Sequence, residues 1–308
     1  MNFNAYKLVF TGGVHFGNRN IEDSENVFYA DTLFSALCHE AKKSGDEVME
    51  ELYSYVKTGK MLFSDALPYR QNTFYIPKPM IKLEYEAKGD STAKKAFKKL
   101  SYIPAEKIDE YLKGNLDIKA ETENLEHFGI LDAKEMVAVR GKEKSLPYRV
   151  GVFHFSEGNG LYIIVGYEEE KAKMLAEDLL DSLSYAGIGG KRSAGLGRFE
   201  FRTCKLEESL KVRLQEKGTR YMSLSVSLPK EEELERVVAG ADFQMIKRSG
   251  FVASSQYADE FLRKKDLYVM NAGACFRKVF DGDVYDVASI GKHPVYRYAK
   301  PLLMEVDA

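Results

Sequence analysis

The sequence predicts an α+β fold of two ferredoxin-like (RRM-like) domains, residues 1–210 and 211–308, with a charged insertion at about 84–147 in the first. Three observations support this prediction. A chain of 308 residues is longer than one typical domain. Without the insertion, the first 210 residues follow the order strand, helix, two hairpin strands, helix and strand, which is the split βαβ order. A second, weaker series of strand-like segments follows.

The first domain begins with a strand at 6–10 and a loop at 14–19, followed by the best-defined helix of the chain. Asp31 is the candidate N-cap of that helix, and Gly45 is a residue type that often follows a helix end. Between them, apolar residues recur at the spacing of one helix face. These residues are Leu33, Phe34, Leu37, Cys38 and Ala41.

The middle of the first domain has a different composition. Short strands are predicted at 61–63 and 74–76. From about 84 to 147 the chain is rich in Lys and Glu and has few sustained apolar faces. Pro104 and Gly114 indicate the start and end of a helix there. We expect this segment to project from the first domain rather than to form a core of its own.

A β-hairpin and a second helix complete the first domain. Strand-like runs at 150–155 and 161–166 flank a Ser-Glu-Gly-Asn-Gly segment, which predicts a hairpin. The next helix ends at Gly187, and a strand is predicted at 198–204. The apolar stripe of this helix comprises Ala172, Leu175, Ala176, Leu179, Leu183 and Ala186.

The second domain is predicted mainly from strands. Pro229 precedes a helix-like segment at 230–238, and no second helix is evident from the sequence of this half. The strand-like segments are 221–228, 243–253, 267–276, 284–288 and 302–306.

The charge balance restricts how this chain can bind nucleic acid. Its formal net charge is −2, with 30% charged and 44% hydrophobic residues. A free-standing nucleic-acid-binding protein is expected to be basic overall. Residues 245–300, however, contain ten Lys or Arg against six acids, a net charge of +4. Contact with RNA is therefore expected to come from local basic patches.

Cysteine usage and the absence of targeting signals predict a cytoplasmic protein. The three cysteines, Cys38, Cys204 and Cys275, are far apart and show neither metal-binding nor disulfide spacing. No apolar stretch follows a basic segment at the N-terminus, and the sequence has no long uncharged apolar run. We expect no membrane contact.

The most informative segment is a glycine-rich, basic loop at 187–199. Glycine permits positive φ angles and lets a bulky anion approach the backbone closely. Lys191, Arg192 and Ser193 at the tip supply charge and hydrogen-bond donors suited to phosphate. The glycines are Gly187, Gly189, Gly190, Gly195 and Gly197. The loop therefore predicts contact with a phosphate backbone, and the alternative is a flexible loop with two solvated charges.

Two well-known phosphate loops do not fit this segment. In a P-loop, a glycine precedes the Gly-Lys pair by five positions and Ser or Thr follows the Lys. Tyr185 and Arg192 occupy these positions here. A dinucleotide fingerprint beginning at Gly187 would require glycine at position 192. Both motifs also run from strand to helix, whereas this loop runs from helix to strand, so no nucleotide cofactor is expected.

Two histidines are candidates for chemistry or stacking. His15 can act as a general acid or base on RNA, but no second titratable residue completes a catalytic site. Its alternative role is a hydrogen bond to RNA or to nearby backbone. His293 belongs to a basic, aromatic run at 293–298 that can stack bases or belong to the core. No zinc spacing or calcium loop fits the sequence, so we expect no metal, no cofactor and no catalytic residue.

Segments along nearly the whole chain together resemble the RAMP (repeat-associated mysterious protein) superfamily of CRISPR systems. They are 15–17 after the first strand, 30–37, 187–199, 282–287 and 293–298. The chain is most similar to the Csm-type subunits that cap the 5′ handle of the guide RNA in type III-A effector complexes. The glycine-rich loop is common to the superfamily, whereas the helix at 30–37 and the two C-terminal stretches are more specific.

This resemblance implies a non-catalytic, RNA-binding subunit of a type III-A (Csm) interference complex with two ferredoxin-like domains. Such subunits grip the repeat-derived 5′ handle of the guide RNA (crRNA). They contact the large signalling subunit and the first RAMP backbone subunit. Because the backbone subunits cut the target RNA, target contact is indirect. An inserted thumb separates or kinks the guide–target duplex near the handle, and the resemblance places it within residues 84–147 here.

Matched residue by residue, the resemblance implies RNA contacts in four places. The main ones are the loop after the first strand and the glycine-rich loop, and the others lie in the segments 247–251 and 293–297. The predicted RNA-binding residues are His15, Gly17, Arg19, Gly189, Gly190, Lys191, Arg192, Ser193, Gly195, Gly197, Lys247, Arg248, His293 and Arg297.

Two other functions remain open from the sequence. The first is a metal-independent RAMP endoribonuclease that processes guide RNA precursors, with His15 as acid or base. The second is a protein-binding adaptor that uses the charged insertion as a docking arm.

Overall fold

The computed structural model describes residues 1–17, 20–82, 91–138, 146–254, 257 and 262–307. Over these residues the chain is a mixed α/β protein whose strands pair antiparallel. The predicted combination of helices and sheets is therefore confirmed at the level of fold class.

Strands and helices are numbered along the chain. The strands are β1 (Asn2–Phe10), β2 (Phe16–Gly17), β3 (Ser24–Glu25), β4 (Met61–Phe63), β5 (Leu67–Arg70), β6 (Thr73–Pro77), β7 (Tyr102–Pro104), β8 (Gly129–Ala138), β9 (Leu146–Phe155), β10 (Asn159–Tyr167), β11 (Phe199–Cys204), β12 (Tyr221–Ser223), β13 (Met245–Arg248), β14 (Leu267–Met270), β15 (Cys275–Phe276), β16 (Asp283–Asp286), β17 (Tyr296–Ala299) and β18 (Leu303–Glu305). The helices are α1 (Ala30–Ser44), α2 (Asp46–Lys57), α3 (Ser91–Lys99), α4 (Ile108–Leu112), α5 (Ile118–Glu126), α6 (Glu170–Ala186), α7 (Glu208–Gln215) and α8 (Glu231–Val238), with short 3₁₀ turns at Ala105–Lys107 and Arg192–Ala194.

The largest sheet has β1 and β10 at its centre. Its order is β11, β1, β10, β5, β6 and β7, and β4 also pairs with β10. Leu8 of β1 lies opposite Leu161 of β10 on one side and Phe201 of β11 on the other. The end of β1 is thereby fixed next to the start of β11, which brings the loops at these two positions together.

Both faces of this sheet are covered, so β10 is buried along its whole length. Leu161, Ile163 and Val165 belong to one hydrophobic cluster, which they share with apolar residues of α1, α2 and α6. Tyr162 and Ile164 alternate with them and belong to a second cluster on the opposite face. The continuous apolar run in the sequence of β10 follows from this two-sided burial.

The two long helices predicted from their apolar stripes are confirmed. In α1, Leu33, Phe34 and Leu37 are buried in the first cluster. In α6, Leu179 and Leu183 are buried in the same cluster. The two helices therefore lie on one face of the sheet, and the glycine-rich loop begins where α6 ends.

The predicted N-cap of α1 is wrong. Asp31 lies inside the first turn of the helix, and the N-cap position is Tyr29. The capping oxygen comes from a distant residue, because the Ala30 amide donates to Oδ1 of Asp65 at 2.7 Å. A carboxylate at this position satisfies a free amide of the helix end. It also leaves Asp31 free for another partner.

The predicted hairpin at 150–155 and 161–166 is also wrong, although both segments are strands. β9 pairs with β8 along its length, and β10 pairs with β1, β4 and β5. The reason lies in non-local contacts of β9. The amides of Val14 and Phe153 each donate to the carbonyl oxygen of the other at 2.8 Å, and the Gly151 amide donates to Ile21. β9 is thereby held against the loop that follows β1.

The segment predicted to project, 84–147, is described for residues 91–138 and 146–147. Ile103, Ile108 and Tyr111 belong to the second hydrophobic cluster, and β7 joins the edge of the large sheet. Residues 100–118 of the segment therefore pack against the sheet and do not project, whereas β8 is mostly exposed. The buried face of this segment was not evident from the sequence, because the apolar residues that pack on the sheet are distributed over several short helices and strands.

The part that is mostly exposed is the two-stranded sheet of β8 and β9, called here the β8–β9 ribbon. Its pairing runs from Gly129 opposite Phe155 to Ala138 opposite Leu146. Several apolar side chains of the ribbon face solvent. They are Ile130, Leu131, Val137 and Leu146, each more than half exposed.

The C-terminal residues form three smaller sheets: β15, β12 and β18 in that order, β13 with β14, and β16 with β17. They share hydrophobic clusters with the large sheet. The Tyr298 ring lies 5.9 Å from those of Phe34 and Phe63, and the Phe63 amide donates to its hydroxyl at 3.0 Å. The division at residue 210 stays a prediction.

Within the described ranges, no helix combines the length and the apolar character needed to cross a lipid bilayer.

Candidate nucleic-acid interface

The glycine-rich loop is attached to the end of β1 by backbone hydrogen bonds. The Gly190 amide donates to the carbonyl oxygen of His15 at 2.8 Å, and the Gly197 amide donates to that of Gly13 at 3.0 Å. The two ends of the loop are also joined, because the Ile188 amide donates to Gly197 at 2.9 Å. The loop is therefore an ordered structure rather than a flexible connection.

Its glycines allow two backbone segments to lie in contact. Gly189 has a φ of 98°, and a Cβ atom there would lie 2.7 Å from the carbonyl oxygen of His15. Gly197 has a φ of 80°, and a Cβ atom would collide with the carbonyl oxygen of Ile188. Positive φ and close backbone approach are the two situations that favour glycine. The crowding at these positions is therefore internal to the protein.

The tip of the loop presents the predicted basic residues. Lys191 adopts the left-handed conformation with a φ of 56°, and Arg192 begins the 3₁₀ turn. The Lys191 ammonium donates to the Tyr148 hydroxyl at 3.0 Å and lies 4.6 Å from the centre of that ring. This contact links the loop tip to β9. Ser193 and Gly195 are exposed beside it.

His15 is almost fully buried beneath this loop, with 7% of its surface exposed. Its Nδ1 atom lies 2.7 Å from the carbonyl oxygen of Gly151. Since a carbonyl only accepts hydrogen bonds, Nδ1 carries the proton, and Nε2 is the acceptor of the neutral ring. The ring is thus fixed by β9. The neighbouring Arg19 lies outside the described residues.

A groove of about 570 Å³, called here the loop groove, opens between the glycine-rich loop, the loop after β1, the start of α1 and the segment that follows β13. It brings together residues predicted from three distant parts of the sequence. The predicted RNA-binding residues that line it are His15, Gly17, Gly189, Gly190, Arg192, Arg248 and Arg297.

A second groove of similar volume, called here the helix groove, lies along α1 on the side of the C-terminal residues. His293 lines it, together with Lys42, Lys264 and Lys292 and with the carboxylates Asp46 and Glu50, and Lys42 forms an ion pair with Asp46. The Nε2 atom of His293 lies 3.0 Å from the Ser254 hydroxyl. Lys247, also predicted to bind RNA, forms an ion pair with Asp266 at 2.7 Å on the surface.

Asp31, which the sequence did not single out as a functional residue, organises the arginines of the loop groove. The Nε and Nη2 atoms of Arg248 each donate to one of its carboxylate oxygens at 2.9 Å. The Nη1 atom of Arg297 donates to Oδ2 at 2.6 Å. Burial alone would raise the pKa of Asp31, but the two guanidinium groups outweigh this effect and lower it. Asp31 is therefore a carboxylate anchor for both arginines.

The two arginines differ in what they still expose. The Arg248 guanidinium lies 4.3 Å from the centre of the Tyr29 ring, and 21% of its side chain is exposed. The Arg297 side chain is 7% exposed, and its Nη2 atom donates to the carbonyl oxygen of Ser249 at 3.4 Å. Arg248 thus presents a planar, partly exposed guanidinium group to the loop groove, whereas Arg297 is buried at the base of that groove.

Asp65 is a second buried carboxylate near the start of α1. Besides the Ala30 amide, its Oδ1 atom accepts a hydrogen bond from the Val226 amide at 3.1 Å. Burial raises the pKa of Asp65 to about 7, and the two backbone donors counteract part of this effect. Asp65 therefore joins α1 to the segment after β12, and no local sequence signal identifies this role.

Across the described residues, no cluster of three or more His, Cys, Asp or Glu side chains is arranged to hold a metal ion.

Comparison with known proteins relates the whole chain to one family. Residues 216–306 match the CRISPR Csm4 C-terminal domain. The chain is 36% identical over 306 residues to the CRISPR system Cms protein Csm4 of Mycobacterium tuberculosis (strain ATCC 25618 / H37Rv), covering 99% of this chain and 98% of that protein. It is 33% identical over 316 residues to the protein of the same name from Streptococcus thermophilus, with both chains covered completely.

Solved structures show the same fold. The Csm3–Csm4 subcomplex of a type III-A CRISPR-Cas interference complex contains a chain that matches with a TM-score of 0.69 and 20% identity, over 98% of each chain. A Csm1–Csm4 cassette in complex with cA4 contains one that matches with a TM-score of 0.60 and 19% identity, over 99% of this chain and 98% of that one. Because identity is low, these matches support the fold alone.

Proposed function

The chain belongs to the Csm4 family of CRISPR proteins, and from this premise we propose that it grips the 5′ handle of the guide RNA in a type III-A (Csm) interference complex. The observation that carries this proposal is the loop groove, in which glycine-rich backbone, His15, Arg192 and Arg248 face one space. Guanidinium groups bind phosphate through several donors at once. The Arg248 guanidinium, which lies over the Tyr29 ring, also offers a flat surface on which a base can stack.

The size of the groove supports a single-stranded ligand. A double helix is read by elements that enter its grooves, whereas single-stranded RNA is bound in a basic channel with planar groups for stacking. The loop groove has a volume of about 570 Å³, and its walls come from loops, from α1 and from the ends of short strands. We propose that the handle lies in it as an extended strand.

We propose that this chain is not an enzyme. His15 is held by Gly151, and among the described residues of the loop groove no carboxylate or second histidine hydrogen-bonds to its ring. A histidine that acts as a general base needs a second group that completes the proton transfer or orients its ring. The metal-independent endoribonuclease stays the alternative function, and it would act through the Nε2 atom of His15.

Partners follow from the complexes in which relatives have been solved. Csm4 chains occur with Csm3 and with Csm1 in those structures. We propose that this chain likewise contacts a RAMP backbone subunit and the large signalling subunit, and that target RNA reaches it through them. A guide-binding role of this kind belongs in the cytoplasm.

We further propose that the strand order reflects ferredoxin-like units. In the large sheet, β11, β1, β10 and β4 are neighbours in that order, with α1 after β1 and α6 after β10. This is the split βαβ arrangement, and it makes residues 64–158 an elaboration between its second and third strands. The order β18, β12 and β15 is consistent with a second, reduced unit.

The β8–β9 ribbon is our candidate for the duplex-separating thumb. Its exposed apolar residues, Ile130, Leu131, Val137 and Leu146, are suited to contact with base faces. Tyr148 on β9 also contacts Lys191 at the loop tip. The ribbon would therefore meet the guide where it leaves the loop groove.

The decisive test is the double variant Lys191→Ala/Arg192→Ala. We expect weaker binding of the full-length chain to guide RNA, and a shallower dependence of affinity on salt, since two phosphate contacts are lost. The matched control is Lys171→Ala/Lys173→Ala, which removes the same charge from two positions of α6 that do not line the loop groove. If the loop variant binds and assembles like wild type, the site assignment is wrong.

A further inference from the structure

The loop groove and the helix groove meet along α1. Five residues line both grooves, and together they are called here the junction. The junction consists of Ser35, His39, Ala253, Lys264 and Tyr296. Lys264 was not among the residues predicted to bind RNA. Lys264 therefore lies where a ligand that occupies both grooves would cross from one to the other.

Positive charge is in excess next to the junction. Arg248 and Arg297 share one carboxylate, Asp31. Within the described part of the chain, Lys264 has no acidic partner at salt-bridge distance. Burial lowers the pKa of the Lys264 ammonium, and the nearby Arg297 lowers it further. Partly buried cations without matching anions are unfavourable, so this region is suited to an additional anion.

Arg297 also has an unused donor at the same place. Its side chain is 93% buried and it lines the loop groove. The Nη1 and Nη2 atoms donate to Asp31 and to the Ser249 carbonyl oxygen. The Nε atom is buried and has no hydrogen-bond partner among the described residues. Buried donors of this kind are nearly always satisfied, which indicates that a ligand completes the site.

We propose that Arg297, Lys264 and the open edge of Arg248 form a pocket for one phosphodiester group of the bound RNA, at the junction of the two grooves. Asp31 acts there as a positioning residue that fixes the arginines before RNA binds. The proposal rests on the proposed function, since it identifies which protein groups receive one particular phosphate. It also gives the helix groove a role, because RNA anchored at the junction would continue along that groove, past Lys292 and the Lys42–Asp46 ion pair.

The test uses the full-length chain and a set of short single-stranded RNAs that carry the handle sequence. Each RNA has one phosphodiester replaced by a neutral methylphosphonate. With wild type, we expect replacement of one linkage to weaken binding roughly tenfold, because a charge-assisted hydrogen bond is lost. With Lys264→Gln, binding of unmodified RNA should fall by roughly the same factor, and that linkage should no longer be more sensitive than the others.

The matched control is Lys265→Gln, the same change at the exposed neighbouring residue, which should keep the wild-type pattern. Arg297→Lys keeps the charge but removes Nε. With this variant too, replacement of that one linkage should weaken RNA binding no more than replacement of any other. If Arg297→Lys fails to fold, Lys264→Gln decides alone. A Lys264→Gln pattern identical to that of wild type would overturn the proposal.

A final measurement distinguishes a pocket that binds RNA from one that binds free phosphate. If inorganic phosphate raises the melting temperature of wild type but not of Lys264→Gln, while no RNA linkage is sensitive, the pocket binds free phosphate and the RNA proposal is wrong. If wild type binds RNA no better than Lys191→Ala/Arg192→Ala, the proposed function fails and this inference with it. RNA binding that is lost in that double variant, but is unchanged in Lys264→Gln, would refute this inference alone.

Discussion

Arg248 and Asp31 form a bidentate ion pair, in which Nε and Nη2 of the guanidinium each lie 2.9 Å from a different carboxylate oxygen. The pair joins the first turn of α1 to β13, 217 residues later in the chain. Because Arg297 donates to the same carboxylate, one side chain near the N-terminus orders two cations of the C-terminal residues. The loop groove depends on this contact for its basic wall.

Removal of the Asp31 carboxylate should destabilise the fold. Asp31→Ala leaves two arginines buried without their anion, and breaking such a pair costs about 3–5 kcal/mol. Urea unfolding monitored by circular dichroism would measure the change. Asp178→Ala, at an exposed position of α6, serves as the control and should shift the free energy of unfolding by less than about 0.5 kcal/mol. Equal stabilities for the two variants would contradict the anchoring role.

Stability should depend on pH through Asp65. Its pKa is raised to about 7 in the folded state, from an ordinary value of 3.8. The protonated form is therefore favoured by folding, and the associated stability is complete below about pH 4 and is lost as pH rises through about 7. In Asp65→Asn, this loss is absent. The free energy of unfolding of Asp65→Asn, relative to wild type, should rise by up to a few kcal/mol between pH 5 and pH 8.

The comparison with wild type isolates Asp65 in that experiment. Asp31 has a lowered pKa and is ionised throughout this range, and His39 titrates in both proteins, so its contribution cancels. Asparagine keeps an oxygen that can accept from Ala30 and Val226. A difference in stability that is constant with pH would show that Asp65 is ionised in the folded protein.

Two glycines of the loop should respond differently to alanine. Gly195 and Gly197 both have positive φ, at 85° and 80°. A Cβ atom at Gly195 meets nothing within 4 Å, whereas at Gly197 it collides with the backbone of Ile188. We expect Gly195→Ala to cost about 1 kcal/mol of stability through backbone strain. Gly197→Ala should cost about 1–3 kcal/mol more and should weaken RNA binding. Thermal unfolding and filter binding would measure both effects.

The sequence predicted the structural elements whose signal is local. The apolar stripes of α1 and α6 were sufficient to predict both helices, because helix periodicity is local. The loop after β1 and the glycine-rich loop were each predicted to contact RNA, but that they lie side by side follows only from the pairing of β1 with β11. The Asp31–Arg248 pair could not be predicted, because nothing in either local sequence identifies a partner 217 residues away.

The wrong N-cap of α1 and the wrong hairpin have the same origin. The turn at 156–158 correctly separates β9 from β10, but turn residues do not determine with which strand each arm pairs. Contacts of Gly151 and Phe153 with the loop after β1 decide that instead. Likewise, the oxygen that caps α1 comes from Asp65, which is close only after folding.

His15 is expected to contribute to RNA binding and not to cleavage. The purified chain should leave repeat RNA intact in the presence of EDTA, since no carboxylate or second histidine among the described residues hydrogen-bonds to the ring of His15. His15→Ala should weaken RNA binding, whereas His127→Ala, at an exposed position, should not. Cleavage in EDTA that disappears in His15→Ala would instead favour the endoribonuclease.

The most direct measurement is ultraviolet crosslinking of the chain to its guide RNA, followed by mass spectrometry of the linked peptides and sequencing of the linked nucleotides. We expect crosslinks from the handle nucleotides to the segments 15–17 and 187–197 and to Tyr29 or Tyr296 in the grooves. Crosslinks confined to surfaces outside the loop groove and the helix groove, or to nucleotides far from the 5′ end, would show that the handle is not bound in the loop groove.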